Sequence, residues 1–216
     1  MRALIAAVVL LSACAPSLAP DAALDNARML AASGQLDEAR AALISLDDAH
    51  PADARVAILA GEVATWRGDS DDGLVWMRRA AERAPGDPEP HLRAAYVLLV
   101  HAPGGAPDAD AALVEAATAL ADAGGVESAD YRACRGEAAW SEGNDDDAEE
   151  WFRGALELRP DCRWALQRLL QISASHGDAG EAERAELNER LSALIRDSRT
   201  GHGMENARMP VAFCGH

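Results

Sequence analysis

The sequence predicts an all-α protein built from helix–turn–helix units stacked in series into a solenoid. Composition is the first reason. Alanine dominates, only nine residues are aromatic, and no run of alternating β-branched residues reads as a strand. Spacing is the second. Gly34 and Gly68 stand 34 residues apart, as do Gly143 and Gly177, and Gly68 and Gly143 are 75 apart, two such periods plus seven. Each of these glycines is followed five residues later by a small residue: Ala39, Gly73, Ala148 and Ala182. Pro51, Pro85 and Pro160 keep the same spacing. A fixed period of this size marks an array whose units bury their apolar faces only against their neighbours.

Residues 1–13 read as a secretory signal. Arg2 supplies a positive charge and Ala3 to Leu11 an apolar segment, much shorter than the roughly 20 residues a membrane-spanning helix needs. The stretch Leu11-Ser12-Ala13-Cys14 resembles the lipobox of bacterial lipoproteins. That resemblance implies cleavage before Cys14 and lipidation of its thiol. Ala15, where an inner-membrane retention signal would carry Asp, implies the outer membrane, facing the periplasm. An ordinary signal peptide with an incidental cysteine is the plainer reading of the same residues. Pro16 and Pro20 make residues 14–19 a short tether.

The net charge is −16, and all 20 basic residues are arginine. A surface this acidic repels phosphates, so nucleic acid and anionic headgroups are excluded as partners.

The repeats follow in order. Residues 20–53 carry Ala27, Gly34, Ala39 and Pro51; residues 54–87 carry Gly61, Gly73, Met77, Ala80 and Pro85. The central unit is degenerate: "HAPGGAPDADAA" (101–112) lengthens its inner turn, and "DAGGVESAD" (122–130) lacks the closing proline. Residues 129–162 restore the pattern, with Gly136 and Ala148 at the helix crossing, Phe152 and Ala155 toward the core, and "ALELRPD" as the ending. The copy at 163–196 puts Glu186 and Glu189 at positions that are apolar elsewhere, as suits a terminal cap. From 20 to 196 this pattern resembles the tetratricopeptide repeat (TPR) family. The resemblance implies about five helix pairs in a right-handed superhelix, with a concave groove lined by the first helix of each pair. Residues 197–216, with Gly201, Gly203 and Pro210, read as a flexible tail whose "VAF" (211–213) could dock as an apolar plug.

No catalytic or cofactor motif stands out. Six histidines are scattered, without HExxH, CxxC, GxSxG or a phosphate loop, so no enzyme activity and no cofactor are expected. "DSDDG" and "NDDDAEE" imitate calcium loops, but the twelfth position is Ala80 in one and Ala155 in the other, where a carboxylate is required. Asp37, Asp69, Asn144 and Asp178 instead begin second helices, where an oxygen can accept from free backbone N–H groups.

The expected function is therefore interaction. By the resemblance, the groove presents Arg55, Ile58, Glu62, Trp66, Leu92, Tyr96, Trp140, Trp164 and Gln167 to a segment of a partner protein. Groove aromatics suit that task, although each could equally cover core. Trp76 and Trp151 share one position on second helices and read as packing between repeats. Adjacent first helices pack together in the family, so a disulfide between Cys134 and Cys162 is implied. Cys214 is an alternative mate for either, and two buried thiols are the plainer state. The chain is expected to be a monomer, anchored to the membrane by lipid at Cys14. The rival reading is a metal or cofactor carrier using Cys214 and His216 of the tail. The sequence names no partner.

Overall fold

The computed structural model describes residues 19–101, 108–200 and 213–214. The expected signal segment, Cys14 and residues 102–107 of the lengthened central turn lie outside them. Five helix pairs follow one another: α1 (Asp21–Ala32) with α2 (Leu36–Ala49), α3 (Ala54–Trp66) with α4 (Ser70–Arg83), α5 (Glu89–His101) with α6 (Ala109–Asp122), α7 (Ala129–Ser141) with α8 (Asp145–Leu158), and α9 (Arg163–Ser175) with α10 (Glu181–Thr200). Among the described residues there is no strand, and no helix is long and apolar enough to cross a membrane.

The turn glycines define this layout. Gly34, Gly68, Gly143 and Gly177 have φ of 88°, 86°, 78° and 61°, in the left-handed region that closes a helix cheaply only without a Cβ. Their period in the sequence is the period of a backbone requirement.

The small residues let the two helices of a pair touch. A Cβ on Gly73 would sit 2.6 Å from the Thr65 hydroxyl and 3.2 Å from the Gly61 carbonyl oxygen. Ala39 and Ala148 are fully buried at the equivalent place. Phe152, also fully buried, presses its ring on Gly136.

The apolar interior forms two blocks. One spans α1 to α4, the other runs from α5 to α10 and includes Phe213 and Cys214; Trp66 packs against both. Trp76 is buried in the first block. Trp151 is half-buried and meets Tyr131 of its own helix pair edge-on, at 6.2 Å. Arginines lace neighbouring repeats: Arg67 donates to Asp37, Arg40 and Arg79 to Asp72 and Asp47, and Arg153 to Glu183. Each pair links residues 30 to 32 positions apart, one repeat less a turn, so part of the acidic excess serves as inter-repeat mortar. Two of the four are exposed and two partly buried, and the exposed ones are individually worth under about 1 kcal/mol.

Three local expectations are corrected. The last helix runs through Thr200 rather than ending at 196. Its crossing residue is Gly180, whose Cβ would lie 2.6 Å from the Ser173 carbonyl oxygen, while Ala182 is exposed. A 3-10 turn over Gly177–Gly180 shifts the helix start and moves the crossing with it. Third, among Asp37, Asp69 and Asn144 only Asp69 caps by accepting from a backbone N–H, that of Asp72; the Asp178 side chain lies outside the described ones. Gln35 takes the cap position ahead of Asp37, and Asn144 donates its side-chain amide to Asp147. Glu186 and Glu189 are both exposed, whereas Leu187 between them is buried.

Candidate partner-binding groove

The inward face of the first helices divides at Trp66. In the N-terminal half its residues are tied to one another. Asp53 caps α3 and is 1% exposed; it accepts from the Arg55 N–H, from the Arg55 guanidinium at 2.8 Å and from the Ala19 N–H at 2.8 Å. Burial pushes this carboxyl up, but the hydrogen bonds from Arg55 and Ala19 and the Arg55 charge hold it below the usual carboxylate range. Arg55 also donates to Asp21 and to the Ala19 carbonyl oxygen. Its guanidinium is therefore occupied in fastening the start of α1. Glu62 is ion-paired with Arg93, which also meets Glu89. Ile58 and Trp66 are half-buried.

In the C-terminal half the face closes on itself. The rings of Tyr96 on α5 and Trp164 on α9 lie 5.4 Å apart, although α7 runs between their helices. On α7, Ala133 and Cys134 are small and fully buried. A face whose side chains touch across two repeats is concave. Phe213 packs against both, edge-on to Tyr96 at 6.1 Å and to Trp164 at 5.3 Å. It is 1% exposed. The Cys214 N–H donates to Asp130 on the first turn of α7, at 3.0 Å, and Cys214 is disulfide-bonded to Cys162 at the N-cap of α9.

Deeper in the groove, the buried Glu137 accepts from the Trp164 indole N–H at 2.8 Å and from Arg168 through both carboxylate oxygens, at 2.7 and 2.8 Å. The Arg168 guanidinium lies between the Trp140 and Trp164 rings, 4.4 Å from each centroid, a double cation–π contact. Replacing Glu137 by Gln keeps the shape, removes the charge and turns an amide donor toward Arg168. Charged hydrogen bonds are worth more than neutral ones, so Glu137→Gln is expected to lower stability by about 2 kcal/mol in urea unfolding. A change under about 0.5 kcal/mol would show that the clamp contributes nothing beyond an exposed pair.

Of the nine residues expected to meet a partner, Leu92, Tyr96 and Trp164 are buried, Arg55 and Glu62 are ion-paired within the chain, and Ile58, Trp66 and Trp140 are half-buried. Gln167 is exposed. Tyr96 and Trp164 are thus covered by Phe213, while Trp140 keeps partial exposure. Arg168 was the residue missed; Glu137 facing it one repeat earlier was the available signal.

The implied Cys134–Cys162 pairing is also corrected. Cys162 is the N-cap of α9 as Ser128 is of α7. Cys134 therefore lies six residues further along its helix, about 9 Å at the rise of an α-helix, beyond the roughly 7 Å a disulfide can span. Cys134 is a buried free thiol, and burial with the Asp130 and Glu137 charges pushes its pKa well up. In the disulfide Cys214 offers no thiolate, so the rival tail metal site loses its sulfur; His216 lies outside the described residues. Among the described residues no cluster of three metal-ligating groups occurs.

Serial helix pairs with glycine turns, close small-residue crossings and a concave face of first helices define a TPR-like solenoid. Solved structures of MamA, a TPR-like protein, share this fold. A structure titled MamA MSR-1 is 20% identical, covers 82% of this chain and 96% of its own, and superposes with a TM-score of 0.52. MamA from Desulfovibrio magneticus RS-1 is 14% identical over 85% of this chain and 97% of its own, at 0.55. A further MamA crystal structure is 17% identical over 88% and 97%, also at 0.55. No family model matches the chain, and no curated protein does.

Proposed function

We propose that the protein is a lipid-anchored, non-enzymatic scaffold of the bacterial envelope that holds a segment of a partner protein along the inward face of its first helices. The observation that carries this reading is the groove itself, where Ile58, Trp66, Trp140 and Gln167 retain access to solvent. Solenoids use such concave faces for extended partners. The fold shared with MamA supports an architecture for interaction. The lipobox residues Leu11 to Cys14 support lipidation and export. A disulfide between Cys162 and Cys214 fits an oxidising compartment such as the periplasm. In this reading the chain acts as a monomer.

The test is a crosslinking pull-down from envelopes of the native host, comparing wild type with Ile58→Ala/Trp140→Ala/Gln167→Ala, both checked for a cooperative melt. One envelope protein should be captured by wild type and lost in the triple variant. Unchanged capture would move the binding surface off this face. In the same cells Cys14→Ser should shift the chain from the membrane to the soluble fraction, and retention at the membrane would exclude the lipid anchor.

A further inference from the structure

Phe213 and Cys214 belong to no repeat, yet they are buried in the groove, at 1% and 8% exposed. Tyr96 and Trp164 supply two aromatic edges and faces for a third ring. Asp130, 9% exposed, supplies an acceptor for one main-chain N–H. An aromatic side chain in a pocket with a hydrogen bond to the adjacent backbone is how an extended peptide is recognised. We propose that this pocket is a docking site for an extended partner segment with an aromatic anchor, and that Phe213–Cys214 is its resident competitor, locked in place by the Cys162–Cys214 disulfide. This deepens the groove-binding reading above and rests on it.

The lock follows from competition. A tethered occupant acts at an effective concentration in the millimolar range, and a covalent bond makes displacement impossible. Opening needs a dithiol reductant. Its thiolate attacks Cys214 Sγ, since Cys214 is 8% exposed and Cys162 fully buried. The S–S bond breaks, Cys162 leaves as a thiolate and takes a proton, and the reductant's second thiol displaces Cys214 as a thiol. Two electrons pass to the protein and the dithiol leaves as its own disulfide. Cys134, kept as a buried thiol, takes no part. Phe213 then competes reversibly with a partner.

The probe is a fluorescein-labelled peptide of residues 207–214 with Ser in place of Cys214, titrated by polarisation against the purified full-length chain. Oxidised wild type should not bind it, reduced wild type should bind weakly, and reduced Phe213→Ala should bind at least about tenfold more tightly than reduced wild type. The same peptide with Ala in place of its Phe should lose about tenfold or more, the worth of one buried ring. Asp130→Asn should weaken binding to the Phe213→Ala chain. Equal binding to oxidised wild type and reduced Phe213→Ala overturns the proposal, as does no binding to either. The reduced wild-type chain needs no substitution: a maleimide should label Cys214 while the helical circular dichroism is kept, and loss of helix on reduction would instead make the tail a core element and overturn the proposal. Partner capture that depends on Ile58, Trp140 and Gln167, together with absent peptide binding, sinks this inference alone. Peptide binding without partner capture sinks the scaffold reading alone.

Discussion

Cys214→Ser is expected to lower the free energy of unfolding by about 4 kcal/mol relative to the oxidised chain. The bridge joins residues 52 apart, and closing a loop of that length in the unfolded chain accounts for the figure in the loop-entropy treatment. Urea unfolding of the variant and of wild type, with and without reductant, checks it; reduction should bring wild type down to the variant and leave the variant unmoved. Cys134→Ala should behave differently. It removes one buried sulfur and no covalent bond, and should cost about 1 kcal/mol with or without reductant. If the reductant-sensitive stability followed Cys134 instead of Cys214, the pairing itself would be wrong. Domains of this size are stable by roughly 5–15 kcal/mol, so the reduced protein should stay folded, as opening of the groove requires.

Phe152→Ala carries the second large effect, a loss of about 3–5 kcal/mol. The ring is fully buried, and its carbons stand 2.8 to 3.0 Å from where a Cβ on Gly136 would be. Removing it leaves a cavity that α7 and α8 cannot close without moving their crossing. The reverse change is coupled to it. Gly136→Ala should cost about 1–3 kcal/mol by overpacking, and should cost much less once Phe152 is Ala. A double-mutant cycle in chemical denaturation measures this. Additive costs would mean that the two residues do not share a contact.

The repeat boundaries were legible because they record backbone geometry. A glycine with φ near 80° and a crossing too tight for a Cβ restrict the residue locally, so Gly68, Gly143 and Gly136 announce themselves in the sequence. The exposure of Glu186 and Glu189 was legible too, since both break a face that other copies keep apolar. The site was less so. Position within a repeat says that Tyr96 and Trp164 face inward. It does not say that they meet across α7, because that contact depends on the curvature summed over two repeats. The same curvature decides that Arg168 reaches Glu137 and both tryptophans. The tail was legible as an apolar segment able to dock and as an alternative disulfide mate, but the place where it docks was not. Its seat depends on Asp130 and Cys162, which lie 84 and 52 residues away from Cys214.

The fastening at Cys162 has a mechanical side. A pull applied to the described ends enters at Ala19, where Asp53 and Arg55 hold the backbone, and leaves at Cys214. In the oxidised chain that tension passes directly from Cys214 into Cys162 and bypasses α9 and α10. The last helix pair hangs slack beside the load path. The 52-residue segment between the two cysteines keeps roughly 180 Å of contour length out of reach. Reduction puts that length, and the cap, back under tension.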